Sequence, residues 1–392
     1  MTRYFFVLLL FVSVVTASSA NVIKLSENAR ISLITCSPGD ELYSIFGHSA
    51  LRVFDDSLHI NEVYNYGTFD FDTPNFYLKF ASGKLKYMLS AYNFKYFLPS
   101  YYRKGRGVAE QQLNLTRDEK QRLFEALEIN RRPENKFYRY DFFFDNCATR
   151  IRDIVFRSVN GDIEYAKSDT LDMTFRDMLR LYLDRQPWTR DGIDIILGSR
   201  IDRKVTMYES TFLPDYLKDY FMHTTIGENK RPLIKSDITL LKQRPGRDEI
   251  TKVTPELVAW LLFVVFVFSL LYEIKRGRSF YFIDRALLFL TGTLGLVVFF
   301  LWFLSDYTAT GANYNILWAM PANLILMFFV KKLKTKGIIR IGGFVTWIMA
   351  GCVVIFWLLI PQSLPPLAFP LSLVIFIRLS VLLFPGKLMM KR

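Results

Sequence analysis

From Pro255 onward the chain is a succession of apolar runs, and this half limits what the whole can be. Five runs stand out: about Glu256–Tyr272, Phe282–Leu304, Tyr314–Val330, Ile341–Ile360 and Leu367–Phe384. Each approaches the ~20 residues a helix needs to cross a hydrocarbon core. The connectors alternate in charge. Lys275, Arg276 and Arg278 lie in the first, Lys331, Lys332, Lys334, Lys336 and Arg340 in the third, and Lys387, Lys391 and Arg392 in the tail. The second connector, Ser305–Asn313, and the fourth, Pro361–Pro366, carry no Lys or Arg. The positive-inside rule therefore expects the first and third connectors and the C-terminus in the cytoplasm, with everything before Pro255 outside.

The N-terminus gives the same expectation independently. Arg3, the apolar run Tyr4–Val15 and the small residues Ala17-Ser18-Ser19-Ala20 read as a secretory signal, with an uncleaved anchor as the alternative. The expected division is a signal over 1–20, an outer domain over 21–226, a charged, Pro-containing tether over 227–254 and a membrane domain over 255–392. Charge follows this division. Residues 255–392 hold thirteen Lys and Arg against four acidic residues, a net +9 of the formal +13. Most of the basicity is thus topogenic, and no Lys/Arg stripe suggests nucleic acid.

The outer domain carries little chemistry-bearing material, which makes its few candidates informative. The chain has three histidines and three cysteines. Arg30–Cys36 reads as a strand, and His48–Phe54 alternates as a second one, returning as Glu62–Gly67 in a hairpin. Pairing Phe54 with His59 would set Asn65 opposite His48, and a one-residue slip would bring Tyr64 or Tyr66 there instead. Thr116–Asn130 reads as an amphipathic helix and Tyr138–Phe144 as an aromatic strand. That strand stops at Asp145-Asn146, both good N-caps, so Cys147 falls in the first turn of a helix over Ala148–Val155. There the dipole and free N–H groups favour a thiolate and can donate to an oxyanion, and Arg150 adds positive charge. A thiol beside an imidazole is the minimal equipment for covalent acyl transfer.

The blander readings are a buried structural thiol for Cys147, a satisfied strand histidine for His48 and a Cys36–Cys147 disulfide in an oxidising compartment. His59 and His223 read as surface residues, Cys352 as packing within the membrane, and Thr174–Leu183 and the helix from Phe212-Leu213-Pro214 as domain core. No metal-ligand spacing and no phosphate-cradling glycine loop occurs, so neither metal nor cofactor is expected.

The motifs Thr35-Cys36-Ser37-Pro38-Gly39-Asp40-Glu41-Leu42-Tyr43, Phe46-Gly47-His48, Tyr64-Asn65-Tyr66-Gly67-Thr68-Phe69-Asp70-Phe71 and Asp145-Asn146-Cys147-Ala148-Thr149-Arg150 resemble those of Lnb-type apolipoprotein N-acyltransferases. So do Glu110-Gln111-Gln112-Leu113-Asn114-Leu115-Thr116, Tyr140-Asp141-Phe142-Phe143, Phe212-Leu213-Pro214 and Asn313-Tyr314-Asn315-Ile316-Leu317-Trp318. The order His then helix-start Cys is also similar to the circularly permuted papain-like fold of NlpC-type and lecithin:retinol acyltransferase-like enzymes. These resemblances imply an α+β, circularly permuted papain-like outer domain followed by an all-α five-span transmembrane domain in a bacterial inner membrane, the outer domain periplasmic. They imply Cys147 as nucleophile, His48 as base and Asn65 as the group orienting it, with Tyr64 the next choice, and Tyr64, Asn146 and Arg150 are expected on the substrate. The donor would be a membrane phospholipid and the acceptor the α-amine of a diacylglyceryl-cysteine lipoprotein. Two rival readings are a membrane-anchored peptidoglycan thiol endopeptidase and a non-enzymatic signalling or transport protein. A transporter would place ionisable residues inside its spans, and the clearest candidate, Arg378, lies near enough to the cytoplasmic end to snorkel.

Overall fold

A computed structural model describes residues 23–165, 170–244, 252–277, 279–335 and 337–384. The expected signal, 1–20, lies outside the described residues, as do residues 245–251 of the expected tether.

The outer half is built on one antiparallel sheet. Its strands are β1 (Arg30–Cys36), β2 (His48–Asp55), β3 (Ile60–Thr68), β4 (Lys86–Asn93), β5 (Val108–Leu113) and β6 (Phe137–Arg139). The short strands β7 (Ile163–Tyr165), β8 (Thr170–Thr174), β9 (Lys204–Thr206), β10 (Thr224–Ile226) and β11 (Arg231–Pro232) form two small side sheets. The chain then returns as β12 (Ile234–Leu241), giving the order β12-β5-β1-β2-β3-β4-β6. This corrects the expected tether: most of residues 234–241 pair with β5 as an edge strand, whose side chains from Lys235 to Thr239 are exposed, so no apolar alternation marks it in the sequence.

Helices α1 (Phe76–Ala81), α2 (Phe94–Arg103), α3 (Arg117–Arg131) and α4 (Cys147–Ser158) are inserted between or after these strands. On one face Leu33, Leu51, Val53 and Tyr64 pack against Leu123 and Leu127 of α3 and Ile151 and Val155 of α4. On the other, Ile34, Ala50 and Val63 pack against Phe94 and Phe97 of α2. With both faces covered, β1 is buried from Ile31 to Cys36 and its sequence is apolar without alternation. A second core joins α5 (Phe175–Leu183), Phe143, Phe212 and Leu213, with α6 (Pro187–Ile196), α7 (Met207–Ser210) and α8 (Pro214–Met222) around it. The expected aromatic strand Tyr138–Phe144 is shorter than its composition suggests. Asp141 Oδ1 accepts from the N–H groups of Phe143 and Phe144, at 2.9 and 3.1 Å, and this local turn ends the strand at Arg139.

In the C-terminal half, α9 (Pro255–Arg276), α10 (Tyr281–Phe303) and, after the short α11 (Asn323–Leu326), α12 (Ile338–Ile355) are long and apolar enough to cross a membrane. A further apolar helix, α13 (Ala368–Leu383), is shorter. The expected third span is not one helix. It is assembled from a 3-10 turn at Tyr314–Leu317, α11, and a 3-10 stretch at Met327–Lys334. Pro321 interrupts it, and its irregular backbone is tolerated because Trp318, Ala319, Val330 and Leu333 are buried among the neighbouring helices. Close approach to α10 needs Gly295, where a Cβ would stand 2.1 Å from the Ala319 carbonyl oxygen. Arg378 of α13 does not snorkel. It is buried, 2.7 Å from Asp284 Oδ1 on α10 and 2.9 Å from Glu273 Oε1 on α9, so three helices share one ion cluster.

The two connectors without Lys or Arg are the ones that meet the sheet domain. Gly198 N–H donates to Ala309 O at 2.9 Å, Asn313 Nδ2 to Ile195 O at 2.8 Å and Gln362 Nε2 to Leu197 O at 3.0 Å. Asn315 Nδ2 donates to Asp194 O at 3.1 Å while its Oδ1 accepts from Trp318 Nε1 at 2.9 Å. Near the sheet, Asp306 N–H donates to Ser82 O at 2.9 Å, and the Asp306 carboxylate meets Arg139 at 3.2 Å.

Candidate active site

His48 is the first residue of β2, held there by two glycines on either side of the site. Gly47 has φ +80° and Gly67, near the end of β3, has φ +84°, a region that disfavours side chains. A Cβ on Gly67 would press on the Tyr140 ring at 3.3 Å and touch Cys147 Cβ at 3.7 Å, so Gly67 lies directly against both. The β2–β3 ladder extends only as far as Leu51 opposite Tyr64. Beyond that splayed end, the backbone N–H groups of Ser49, next to His48, and of Ala148 and Cys147 at the helix start favour the Cys147 thiolate.

The hairpin register differs from the expected one by two residues. Phe54 pairs with Asn61, because the turn from Asp55 to Ile60 is longer than a tight hairpin, and His59 occupies a left-handed position in it. An even shift preserves the face on which each side chain stands. Asn65 therefore still meets His48, diagonally, with Nε2 3.2 Å from Oδ1. Asn65 Nδ2 donates to Val63 O at 3.1 Å, which turns Oδ1 toward the ring. Since Oδ1 only accepts, the neutral ring carries its hydrogen on Nε2 and its lone pair on Nδ1.

Burial sets the resting ionisation. It pushes the His48 imidazole down to about 4, the Asn65 hydrogen bond opposing and the Arg106 charge assisting. Burial also raises the Cys147 thiol, against the three N–H groups aimed at it. Both groups are thus uncharged at rest: a neutral imidazole and a protonated thiol. Among the described residues no hydrogen bond joins ring and thiol directly. Arg106 is buried, with Nε donating to Ser37 O at 2.7 Å.

Cys147 is placed by its cap. Asn146 Oδ1 accepts from the N–H groups of Ala148 and Thr149, at 2.8 and 2.9 Å, while Nδ2 donates to Phe142 O at 2.8 Å and Phe212 O at 2.7 Å. Every polar atom of Asn146 is used, which makes it a positioning group and leaves nothing to offer a substrate. Tyr64, also expected on the substrate, is buried on the α3 side of the sheet with its hydroxyl on Glu128. Arg150 is held by Asp145 at 2.6 Å and stacks on the Tyr138 ring at 3.5 Å. Cys36 pairs with His48 across β1 and β2; its thiol is free, as is that of Cys147, and burial pushes it up to about 12. His223 ends α8, with Nδ1 2.9 Å from Asp219 O. Sequence reading missed the Ser49 N–H, Tyr140, Arg106 and the role of Gly67. Only the glycine left a signal, a Gly at the end of the expected return strand.

Residues 23–184 match the family model described as the Lnb N-terminal periplasmic domain, and residues 247–387 match that described as the Lnb transmembrane domain. Comparison with curated proteins and with solved structures gives no match.

Proposed function

We propose, on the premise of an Lnb-type protein with a periplasmic domain followed by a membrane domain, that this chain is an apolipoprotein N-acyltransferase working through a Cys147 thioester. His48 Nδ1 takes the thiol proton, and the thiolate attacks an ester carbonyl of a membrane phospholipid. The oxyanion is stabilised by backbone N–H groups at the start of α4. As the ester C–O bond breaks, His48 returns the proton to the glycerol oxygen and a lysophospholipid departs. The α-amine of a diacylglyceryl-cysteine lipoprotein then attacks the thioester, passes its proton to His48, and leaves as an amide while the thiol is restored. The chain would cross the membrane five times, with a cytoplasmic C-terminus. The observation that carries the reading is the His48 Nε2–Asn65 Oδ1 bond, which leaves the Nδ1 lone pair free on a strand whose next residue, Ser49, favours the thiolate of a helix-start cysteine.

The test is formation of the intermediate. Purified protein given phospholipid alone gains the mass of one fatty acyl group on Cys147. Neutral hydroxylamine removes it, and a diacylglyceryl-cysteine peptide discharges it to an N-acylated product. Cys147→Ala gains nothing. Label that forms only when donor and acceptor are both present overturns the thioester, and hydrolysis of cell-wall peptides without acyl transfer assigns the site to the endopeptidase class.

A further inference from the structure

The segment between β3 and β4 is out of character for a domain in water. None of the α1 residues is buried. Phe71 is 68 % exposed, Tyr77 83 %, Leu78 65 % and Phe80 48 %, and they lie within ten residues of one another. An aromatic patch of this kind marks a surface with an apolar partner.

Two further observations identify the partner. The first is height. Tyr307 donates its hydroxyl to Phe80 O at 2.5 Å, and Asp306 N–H bonds Ser82 O, in the connector just past α10. That connector folds back on the helix end, Thr310 Oγ1 lying within hydrogen-bond distance of Leu301 O at 2.6 Å and of Tyr307 O at 2.9 Å. The patch is thus tied to the rim of a helix that is apolar enough to cross a bilayer. Tyr and Phe at such a rim sit at the boundary of headgroups and acyl chains.

The second is continuity with the thiol. Phe80 stacks on Phe76 at 6.2 Å, Phe76 meets Phe69 at 5.8 Å, Phe69 meets Tyr87 at 5.3 Å, and Tyr87 stacks on Tyr140 at 4.3 Å. The Tyr140 ring borders Gly67, beside Cys147. An unbroken aromatic wall runs from the exposed patch to the nucleophile.

We propose that the segment Phe69–Phe80 dips into the outer leaflet and that its aromatic wall is the path by which a phospholipid acyl chain reaches Cys147. The inference rests on the acyl-transfer reading for its second half only. Insertion is a property of the surface and can be tested without catalysis.

For insertion, full-length Tyr77→Cys protein that also carries Cys36→Ser, Cys147→Ala and Cys352→Ser is labelled with an environment-sensitive fluorophore and placed in phospholipid vesicles. Ser57→Cys on the same background is the control. It sits in the exposed hairpin turn at the far end of β3, roughly 27 Å away along a nine-residue strand. The Tyr77 label is quenched by lipids brominated on the acyl chain and shielded from aqueous iodide, and the Ser57 label behaves in the opposite way. Iodide quenching of the Tyr77 label overturns insertion.

For the path, the triple variant Phe71→Ser, Tyr77→Ser, Phe80→Ser loses roughly tenfold or more in the rate of thioester formation from bilayer phospholipid. Alkylation of its Cys147 by a small soluble reagent stays at the parent rate, reporting an intact site. An unchanged thioester rate overturns the path. A parent protein that never forms a thioester defeats the acyl-transfer reading, while the quenching result still decides the surface.

Discussion

At the scale of single residues the proposed chemistry depends on His48 being a neutral base. Its imidazole is pushed down to about 4, so the form carrying the Nδ1 lone pair is present throughout the neutral range. In the proposed reaction, kcat/KM is therefore flat from neutrality downward and falls only as pH approaches about 4. Arg106→Gln removes a nearby positive charge, so the imidazole holds a proton at higher pH and the acid limb moves upward. A pH–rate profile on both proteins checks the sign, and an unmoved limb rejects the assignment of that limb to His48. The same depression gives a stability effect of fixed sign. Below the ordinary value of 6.5 the unfolded chain binds a proton that the folded one refuses, so this contribution is complete above that pH and is lost as pH falls toward about 4. His48→Ala lowers transfer by roughly 10²-fold or more.

At the scale of elements, the start of α4 is where local sequence and function meet. Asn146→Ala loses a cap, about 1 kcal/mol in typical helices, and leaves the Phe142 and Phe212 carbonyls without a donor, about 1–3 kcal/mol each when buried. Asn146→Asp restores the cap acceptor but sets a carboxylate against those two carbonyls, so it does not rescue. Both variants lower the apparent thermal midpoint of the detergent-solubilised protein, and parent-like behaviour of Asn146→Asp contradicts the role given to Nδ2. This element was legible because caps are local: Asp145-Asn146 before an apolar periodicity can be read without the fold. Asn65 was legible for a different reason, since strand faces survive a register error of two. What failed was non-local. Strand β12 is recruited by a β5 edge that the sequence does not reveal. The turn at Asp141 depends on one side chain outcompeting a ladder for two N–H groups. The broken stretch 314–334 has the composition of a span, and only its burial between helices makes its 3-10 turns and Pro321 acceptable.

At the scale of the whole molecule, two polar clusters hold the parts in one arrangement. Near one end of the helices, Arg378 ties α13 to α9 and α10. Near the other, Asn313, Asn315 and Gln362 bind α6 and the residues just after it to the outer connectors. Asn315→Ala deletes bonds to Asp194 O, Ile195 O and Trp318 Nε1 together, so the Gly198 amide, bonded to Ala309 O, exchanges with deuterium faster in the variant than in the parent. Unchanged exchange there means the docking does not rest on Asn315. For the proposed five-pass arrangement, a reporter fused after Arg392 is active only in the cytoplasm, and periplasmic activity of that fusion rules it out. The docking bonds have a further effect on acyl transfer of the kind proposed. With the sheet domain fastened to the helices by backbone and amide contacts, Cys147 is held at one height relative to the apolar helices. In the proposed reaction the protein would then work as a ruler: it would select by the depth at which a lipid presents its ester, and head groups that leave that depth unchanged would compete on equal terms.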